Sequence, residues 1–299
     1  MQLTSLILIY IYTMFHYKRF KIAIGVICMI SLNSFAAEET VRQPAVAGQF
    51  YPDRPDSLKN EVRQFIAHGP KTSSYPVLLI SPHAGYVFSG PVAGKGYATI
   101  NKNVKTVILI GPSHHEWFTG LCITDVDFYQ TPLGKVPLAA DIISKLRKSP
   151  LVHVVRQADE PEHCLEVQLP FLQETLSSFS IVPIITGKVD PAEVADLVCP
   201  FVNETTLIVA SSDLSHYHSS SEAKAIDAKT IQTVLSGDAG GFLDACGETA
   251  IRVVMHCAKK LNCVPELLDA RNSFETAPKY GPENRVVGYA SIAYLKKKK

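Results

Sequence analysis

The chain has 299 residues, enough for one large domain or two modest ones, and a fold of this size needs no disulfide or metal to be stable. Hydrophobic residues make up 46% and charged residues 19% of the chain, a balance typical of globular proteins. The formal net charge is +1 and no basic patch stands out beyond the tail at 296–299, so the composition gives no support for nucleic-acid binding.

Residues 1–37 have the order of a secretory signal peptide. A short apolar stretch is followed by the basic cluster HYKRFK, the apolar run IAIGVICMISL and small residues before an acidic start. We expect a signal peptide or N-terminal membrane-targeting segment, cleaved near Ala36 or Ala37, and export to the periplasm or another extracytoplasmic space. Met14 is an alternative start. The alternatives are an uncleaved anchor and an extension that is not a working signal, which would leave the protein cytoplasmic.

Residues 38–299 alternate apolar strands with amphipathic helices. Strands rich in β-branched residues are predicted at 77–81, 106–110, 179–186, 206–210 and 286–294. Helices are predicted at 56–68, 138–146, 191–201, 221–235, 240–245 and 249–261. Because the strands are continuously apolar, we expect a single α/β domain with a central parallel or mixed sheet flanked by helices.

Three of these strands run directly into histidine-containing segments. PHAGY follows the strand 77–81, GPSHH follows 106–110, and SSDLSHYH follows 206–210. The carboxyl ends of parallel strands meet at one edge of a sheet, where open α/β folds bind ligands. Imidazole is the commonest ligand for borderline metals and an acid–base group near neutral pH. We therefore expect the histidines to form a shared metal or catalytic site at that edge, rather than three separate structural residues.

Six cysteines follow the predicted signal segment, and no CxxC pair occurs among them, which argues against a zinc knuckle. Their positions in apolar elements favour buried thiols, although six cysteines could pair in an oxidising compartment. Cys246 differs, because it lies between a predicted helix end and a helix beginning near Thr249. The amides and dipole of that helix would stabilise a Cys246 thiolate, although a packing role fits the sequence equally well.

Two acidic residues lie three positions from a histidine. Asp213 and His216 would share one face of a helical turn, so that Asp213 orients the imidazole and His216 accepts a proton from a substrate hydroxyl. His163 and Glu166 have the same spacing and would line the pocket or support a ligand, with capping and packing as the alternative. Pro170 requires either a kink or a new helix start there.

Several neighbouring residues are candidates for the surroundings of the site. Tyr86, Ser113 and Trp117 are candidates for the pocket wall. We expect His115 to form hydrogen bonds nearby rather than bind the metal, because the side chains of adjacent residues point apart. His218 is expected either at the surface or in contact with a metal ligand.

Taken in order, these segments resemble the Memo family, whose bacterial members are called AmmeMemoRadiSam system protein B. The resemblance rests on PHAGY at 82–86, GPSHH at 111–115, DEPEHCLE at 159–166, SSDLSH at 211–216 and ACG at 245–247. AGQFYP at 47–52 and VGYA at 287–290 extend it over nearly the whole chain after the export segment. Each motif alone is weak, whereas the ordered set is specific.

The resemblance implies a fold like that of the class III extradiol dioxygenases, which bind non-haem Fe(II). It implies that His83, His114 and Cys246 are the metal ligands and that His216, beside Asp213, is the acid–base residue. The ring-cleaving enzymes carry a carboxylate where this chain carries the cysteine. Because a thiolate is softer, it should favour Cu(I) more and alter the redox potential. The expected cofactor is iron(II), with copper as the alternative.

The leading functional hypothesis is a Memo-type mononuclear iron or copper protein with redox or oxygenase-like activity. The alternatives are an extradiol-type dioxygenase acting on a catechol-like substrate, a non-enzymatic module that binds a peptide or small molecule, and a thiol hydrolase using Cys246 and His216. The family name also implies a functional link to radical-SAM and AMMECR1-like proteins. That link is in tension with export, because radical-SAM enzymes are cytoplasmic.

Overall fold

The structure is a computed structural model that describes residues 39–297. The predicted signal segment, 1–37, lies outside the described residues. The described strands are β1 (Val41–Arg42), β2 (Pro76–Ser81), β3 (Thr106–Pro112), β4 (Leu121–Cys122), β5 (Phe128–Thr131), β6 (Gly134–Pro137), β7 (Val152–His153), β8 (Ser180–Thr186), β9 (Thr206–Ser211), β10 (His216–His218), β11 (Cys263–Asn272) and β12 (Val286–Lys296).

The α-helices of this part of the chain cover the sheet formed by most of these strands. They are α1 (Pro55–Ala67), α2 (Tyr86–Tyr97), α3 (Ala140–Leu146), α4 (Arg156–Asp159), α5 (Leu169–Thr175), α6 (Pro191–Val198), α7 (Ser220–Ser236), α8 (Glu248–Leu261) and α9 (Ser273–Thr276). Short 3₁₀ turns lie at Glu166–Gln168 and Cys199–Phe201.

The described strands form one large mixed sheet and one small sheet. The large sheet has the order β10-β12-β2-β9-β3-β8-β4-β7, with β11 paired to β12. Its centre, β2-β9-β3-β8, is parallel, whereas β12 and β4 run antiparallel to their neighbours β2 and β8. The small sheet is β1-β5-β6. The predicted single α/β domain with a mixed central sheet is confirmed, and its relation to the extradiol dioxygenases stays a prediction.

The central strands are buried on both faces, which explains their continuous hydrophobicity. On one face Leu78 and Ile80 pack in a cluster that includes Val254 of α8. On the other face Leu79 packs in a cluster that includes Tyr97 of α2. Successive residues of β2 therefore point to opposite faces of the sheet, which is packed between two sets of helices.

The register of the parallel strands decides where the histidine segments lie. Ser81 at the end of β2 is opposite Ser211 at the end of β9, and Ile110 of β3 is opposite Ala210 of β9. The three strands therefore end at the same level, and the segments that follow them emerge side by side at one edge.

The helix predicted at 240–245 is wrong. The described chain has no helix there, because α7 ends at Gly237 in a left-handed conformation and a loop follows. That loop is held by Arg252, which donates to the carbonyls of Ala239 and Gly241. The helix predicted at 191–201 is also shorter than expected, since α6 ends at Val198 and a 3₁₀ turn containing Pro200 follows.

The sequence did not predict α2 or β11. The α2 segment, YVFSGPVAGKGY, contains three glycines and a proline, a composition that is typical of loops. Gly94 is needed for packing, because a Cβ atom there would lie 2.6 Å from the backbone oxygen of Phe65 in α1. The helix therefore forms because it packs closely against α1 rather than because of its intrinsic propensity.

Cys199 and Cys257 form a disulfide with their Cα atoms 6.0 Å apart. The expectation of buried thiols is wrong for these two residues, whereas Cys122, Cys164 and Cys263 are buried and unpaired. The bond joins the 3₁₀ turn after α6 to the middle of α8. Spacing alone could not indicate this pair, because 58 residues separate its members.

Among residues 39–297, none of the helices combines the length and hydrophobicity that crossing a membrane requires.

We expect the double substitution Cys199→Ser/Cys257→Ser to lower the free energy of unfolding by about 2–4 kcal/mol, because it removes a cross-link that restricts the unfolded chain. Chemical denaturation measures the change. Dithiothreitol should lower the wild-type midpoint towards that of the variant and leave the variant unaffected. A wild-type midpoint that is insensitive to reductant would contradict the cross-link.

Candidate metal centre

Three potential ligand atoms converge at the carboxyl edge of the parallel strands. His83 lies two residues beyond β2, His114 two residues beyond β3, and Cys246 two residues before α8. One ligand atom from each lies within 4.8 Å of the other two. The Sγ atom of Cys246 is 3.2 Å from Nε2 of His83, and the rings of His83 and His114 are nearly perpendicular with centroids 5.2 Å apart.

The orientation of His83 is set by a buried hydrogen-bond network. Its Nδ1 atom lies 2.9 Å from the Oγ atom of Ser211, whose hydroxyl donates to the carbonyl of Cys164 at 2.6 Å. Ser211 also accepts a bond from Gln168. Because its one proton is used, Ser211 must accept from Nδ1–H of His83, which leaves the Nε2 lone pair directed at Cys246.

The imidazole of His83 is held in its neutral form. The residue is only 2% exposed, and burial, followed by the nearby charge of His114, lowers its pKa to about 3. A neutral imidazole with a fixed Nε2 lone pair is the form that binds metals.

Glu162 orients His114. Its Oε1 atom lies 2.9 Å from Nδ1 of His114, and its Oε2 atom accepts the backbone N–H of the same residue at 2.7 Å. The carboxylate also accepts the N–H groups of His163 and Cys164. Burial would raise the pKa of Glu162, but these hydrogen bonds, led by that from His114, outweigh it and hold the pKa well below its usual range. An ionised Glu162 thus keeps the proton of His114 on Nδ1 and its Nε2 free.

Cys246 lies outside the first turn of α8, which begins at Glu248. Its sulfur accepts the backbone N–H of Asp213 at 3.3 Å. Burial, followed by the charge of Asp213, raises the pKa of Cys246 to about 12. The backbone N–H of Gly247 at the start of α8 lowers the pKa of Cys246 as expected, but burial outweighs it.

Asp213 and His216 lie at the same edge, but the helical turn predicted for them is absent from the described chain. Residues 212–215 are irregular and His216 begins β10. The buried Oδ1 atom of Asp213 accepts the backbone N–H of His83 at 2.7 Å. Burial raises the pKa of Asp213, although the bond from His83 and the charge of His216 act in the opposite direction. Asp213 thus fixes the backbone of His83 through a hydrogen bond and also interacts electrostatically with His216.

His163 contributes a third imidazole to the cluster. Its ring stacks on His114 with a centroid distance of 4.8 Å and meets His83 edge-on at 5.5 Å. Its other neighbour is Phe50, also edge-on at 4.8 Å. Burial, followed by the charge of His83, lowers the pKa of His163 to about 4. The structure places this ring against both candidate ligands.

Glu166 lies away from the three imidazoles and anchors the N-terminal segment. It is fully buried, pairs with Arg42 at 2.9 Å, and accepts the N–H of Ala45 at 2.6 Å and the hydroxyl of Tyr51 at 2.6 Å. This arrangement matches the capping and packing alternative for Glu166.

Glu166 also begins a 3₁₀ turn that leads into α5, and Pro170 lies in the first turn of that helix. Of the two alternatives for Pro170, the new helix start is therefore correct.

Two of the candidates for the pocket wall make contacts of other kinds. The hydroxyl of Tyr86 is buried and donates to the carbonyl of Val167 at 2.7 Å. Ser113 donates to the carbonyl of Glu116 at 2.7 Å and closes a local turn. These contacts stabilise the core and the loop after β3.

The remaining candidates lie towards solvent. Trp117 is 91% exposed and His115 is exposed, although a ring nitrogen of His115 lies within 4.8 Å of ligand atoms of Glu162 and His163. His218 is half-buried at the end of β10.

The sequence reasoning did not single out the residues that orient the ligands. Glu162 directly precedes His163 in the motif DEPEHCLE, and an acid next to a histidine could have indicated a residue that orients an imidazole. Ser211 was visible as the first polar residue after a buried strand. Gln168 gave no signal, because its role depends on the packing of the 3₁₀ turn beside β9.

A family model described as Memo-like protein matches residues 42–293. The chain belongs to the Memo family. It is 36% identical over 269 residues to a MEMO1 family protein of Methanosarcina barkeri, covering 84% of this chain and 99% of that protein. A MEMO1 family protein of Archaeoglobus fulgidus is 33% identical over 272 residues, covering 85% and 99%. The match to the Memo family therefore includes every segment that contributes to the histidine cluster.

We expect Glu166→Gln to lower the free energy of unfolding by about 2–4 kcal/mol, because it leaves the buried guanidinium of Arg42 without its closest counter-ion. Denaturant unfolding tests this. Glu160→Gln is the matched control, since Glu160 is exposed and should change stability by no more than about 0.5 kcal/mol. Equal stability of the two variants would contradict an anchoring role for Glu166.

Proposed function

We propose that this Memo-family chain holds one iron(II) or copper ion between His83, His114 and Cys246 and acts as a redox or oxygenase-like protein. The observation that carries the proposal is the convergence of two imidazoles and one thiol whose ligand atoms lie within 4.8 Å of one another.

The donor set fits such an ion. Both imidazoles use Nδ1 for a hydrogen bond inside the protein, His83 to Ser211 and His114 to Glu162, so each has Nε2 available. Burial raises the pKa of Cys246, and a metal cation beside the sulfur would lower it and favour the thiolate. Two nitrogens and one sulfur suit borderline and soft metals, which supports iron or copper over magnesium or calcium.

When bound, an iron or copper ion would supply one-electron redox chemistry and further coordination positions for small ligands. The surrounding residues would bind and orient. Ser211 and Glu162 fix the two imidazoles, and Asp213 holds the backbone of His83. We assign proton transfer to His216, whose charge interacts with Asp213 and His83, with Asp213 in a supporting role.

Cys246→Ala should lower the metal content of the purified protein from about one ion per chain to less than about 0.2, because it removes the only soft donor of the proposed set. Elemental analysis of protein isolated from its native compartment measures the content and identifies the metal. Cys263→Ala is the matched control, since Cys263 is a buried free thiol at the start of β11, and it should keep the wild-type content. Full occupancy in Cys246→Ala would overturn the ligand assignment.

We also propose that the protein is exported. The disulfide between Cys199 and Cys257 supports this location, because such bonds persist in oxidising compartments and are rare in the cytosol. Fractionation of cells followed by mass measurement should find a chain beginning near residue 38 outside the cytoplasm. A full-length cytoplasmic chain with reduced Cys199 and Cys257 would contradict export and leave the metal proposal unaffected.

Two further expectations stay predictions. They are the binding of a substrate or peptide ligand and the functional link to radical-SAM and AMMECR1-like proteins.

A further inference from the structure

A second recess lies beside the histidine cluster. It is a cavity of about 440 Å³ between the segment that precedes α1 and the first turn of α2. Phe50 lines it and also touches the ring of His163, and Gly85, which follows His83 by two residues, lies on its other side. The cavity is thus next to the candidate metal centre but is built from residues that contribute no metal ligand.

The walls of this cavity are rich in aromatic rings. Phe50, Tyr51, Tyr86 and Phe88 all line it, and the hydroxyls of Tyr51 and Tyr86 are already bonded to Glu166 and to the carbonyl of Val167. The two tyrosines are 3% and 2% exposed and form the buried floor of the cavity, whereas the half-buried Phe50 and Phe88 provide its accessible ring surface. Aromatic rings attract cations through the negative charge on their faces, and several rings around one cavity are typical of sites for organic ammonium groups.

One carboxylate completes the cavity. Glu61 of α1 is half-buried there and makes no hydrogen bond or salt bridge to any residue within 39–297. Burial raises its pKa, so its charge lacks the compensation that a nearby cation would supply. Two acids that are more deeply buried, Glu162 and Glu166, are by contrast compensated by N–H groups or arginine.

We propose that this cavity binds a small organic cation, with its ammonium group at Glu61 and its apolar body against the rings of Phe50 and Phe88. The volume of about 440 Å³ is in the range of small-molecule sites and is large enough for a single aromatic amine. Charge complementarity selects this occupant, because an anion would be repelled by Glu61 and a neutral molecule would leave the carboxylate uncompensated. Binding requires no metal ion.

The test compares benzylamine with benzyl alcohol, two probes of similar shape that differ in charge. Titrations followed by ¹⁵N NMR should show benzylamine binding at least about tenfold more tightly than benzyl alcohol, with shifts at the amides of Gly48, Val87 and Phe88. Glu61→Gln should weaken benzylamine about tenfold and leave benzyl alcohol unchanged. Phe88→Ala should weaken both probes.

Glu193→Gln is the control for a general loss of negative charge. Glu193 is exposed on α6, which packs on the opposite face of the sheet, and its variant should keep the wild-type preference. Equal affinity for the two probes, no binding of either, or an undiminished preference in Glu61→Gln would each overturn the proposal. Metal analysis of Glu61→Gln should match wild type, so a failure here is distinguishable from a failure of the metal centre.

Discussion

The parallel pairing of β2, β9 and β3 is the constraint on which the candidate site depends. Since Ser81 faces Ser211 and Ile110 faces Ala210, the segments that follow these strands leave the sheet together. A shift of one residue in any of these pairs would turn every side chain of the shifted strand to the opposite face. The register is fixed because both faces of the sheet are buried under helices. The geometry of the site is therefore a property of the whole core rather than of the loops alone.

The polar groups under the site are rigid because they are buried and satisfied. Ser211 has bonding partners in Cys164, Gln168 and His83, and Gln168 in turn accepts the hydroxyl of Tyr97 at 2.7 Å. Breaking one of these bonds would leave a buried group without a partner, which costs more than the bond itself contributes. The orientation of His83 is thus coupled to a chain of bonds that extends into the helix layer at α2.

Much of the sheet could be predicted from the sequence, because its strands are buried on both faces and read as uninterrupted apolar runs. The convergence of His83 and His114 followed from that, since strand ends are easy to place. The features that could not be predicted depend on packing between elements that are distant in the sequence. The α2 helix has the composition of a loop and forms because Gly94 lets it approach Phe65, a contact between residues in different elements. Glu166 lies three residues from His163, a spacing that suggested a role in the site. Its partner is instead Arg42, more than 120 positions away.

The Cys199–Cys257 bond has a topological consequence. It closes a covalent ring whose circumference includes β9, Asp213, His216 and Cys246, whereas His83 and His114 lie outside the ring. Cys246, Asp213 and His216 therefore lie on one closed covalent ring. Because β9 lies between β2 and β3, the centre assembles only when both histidine-bearing strands pair with the strand inside the ring, one on each side.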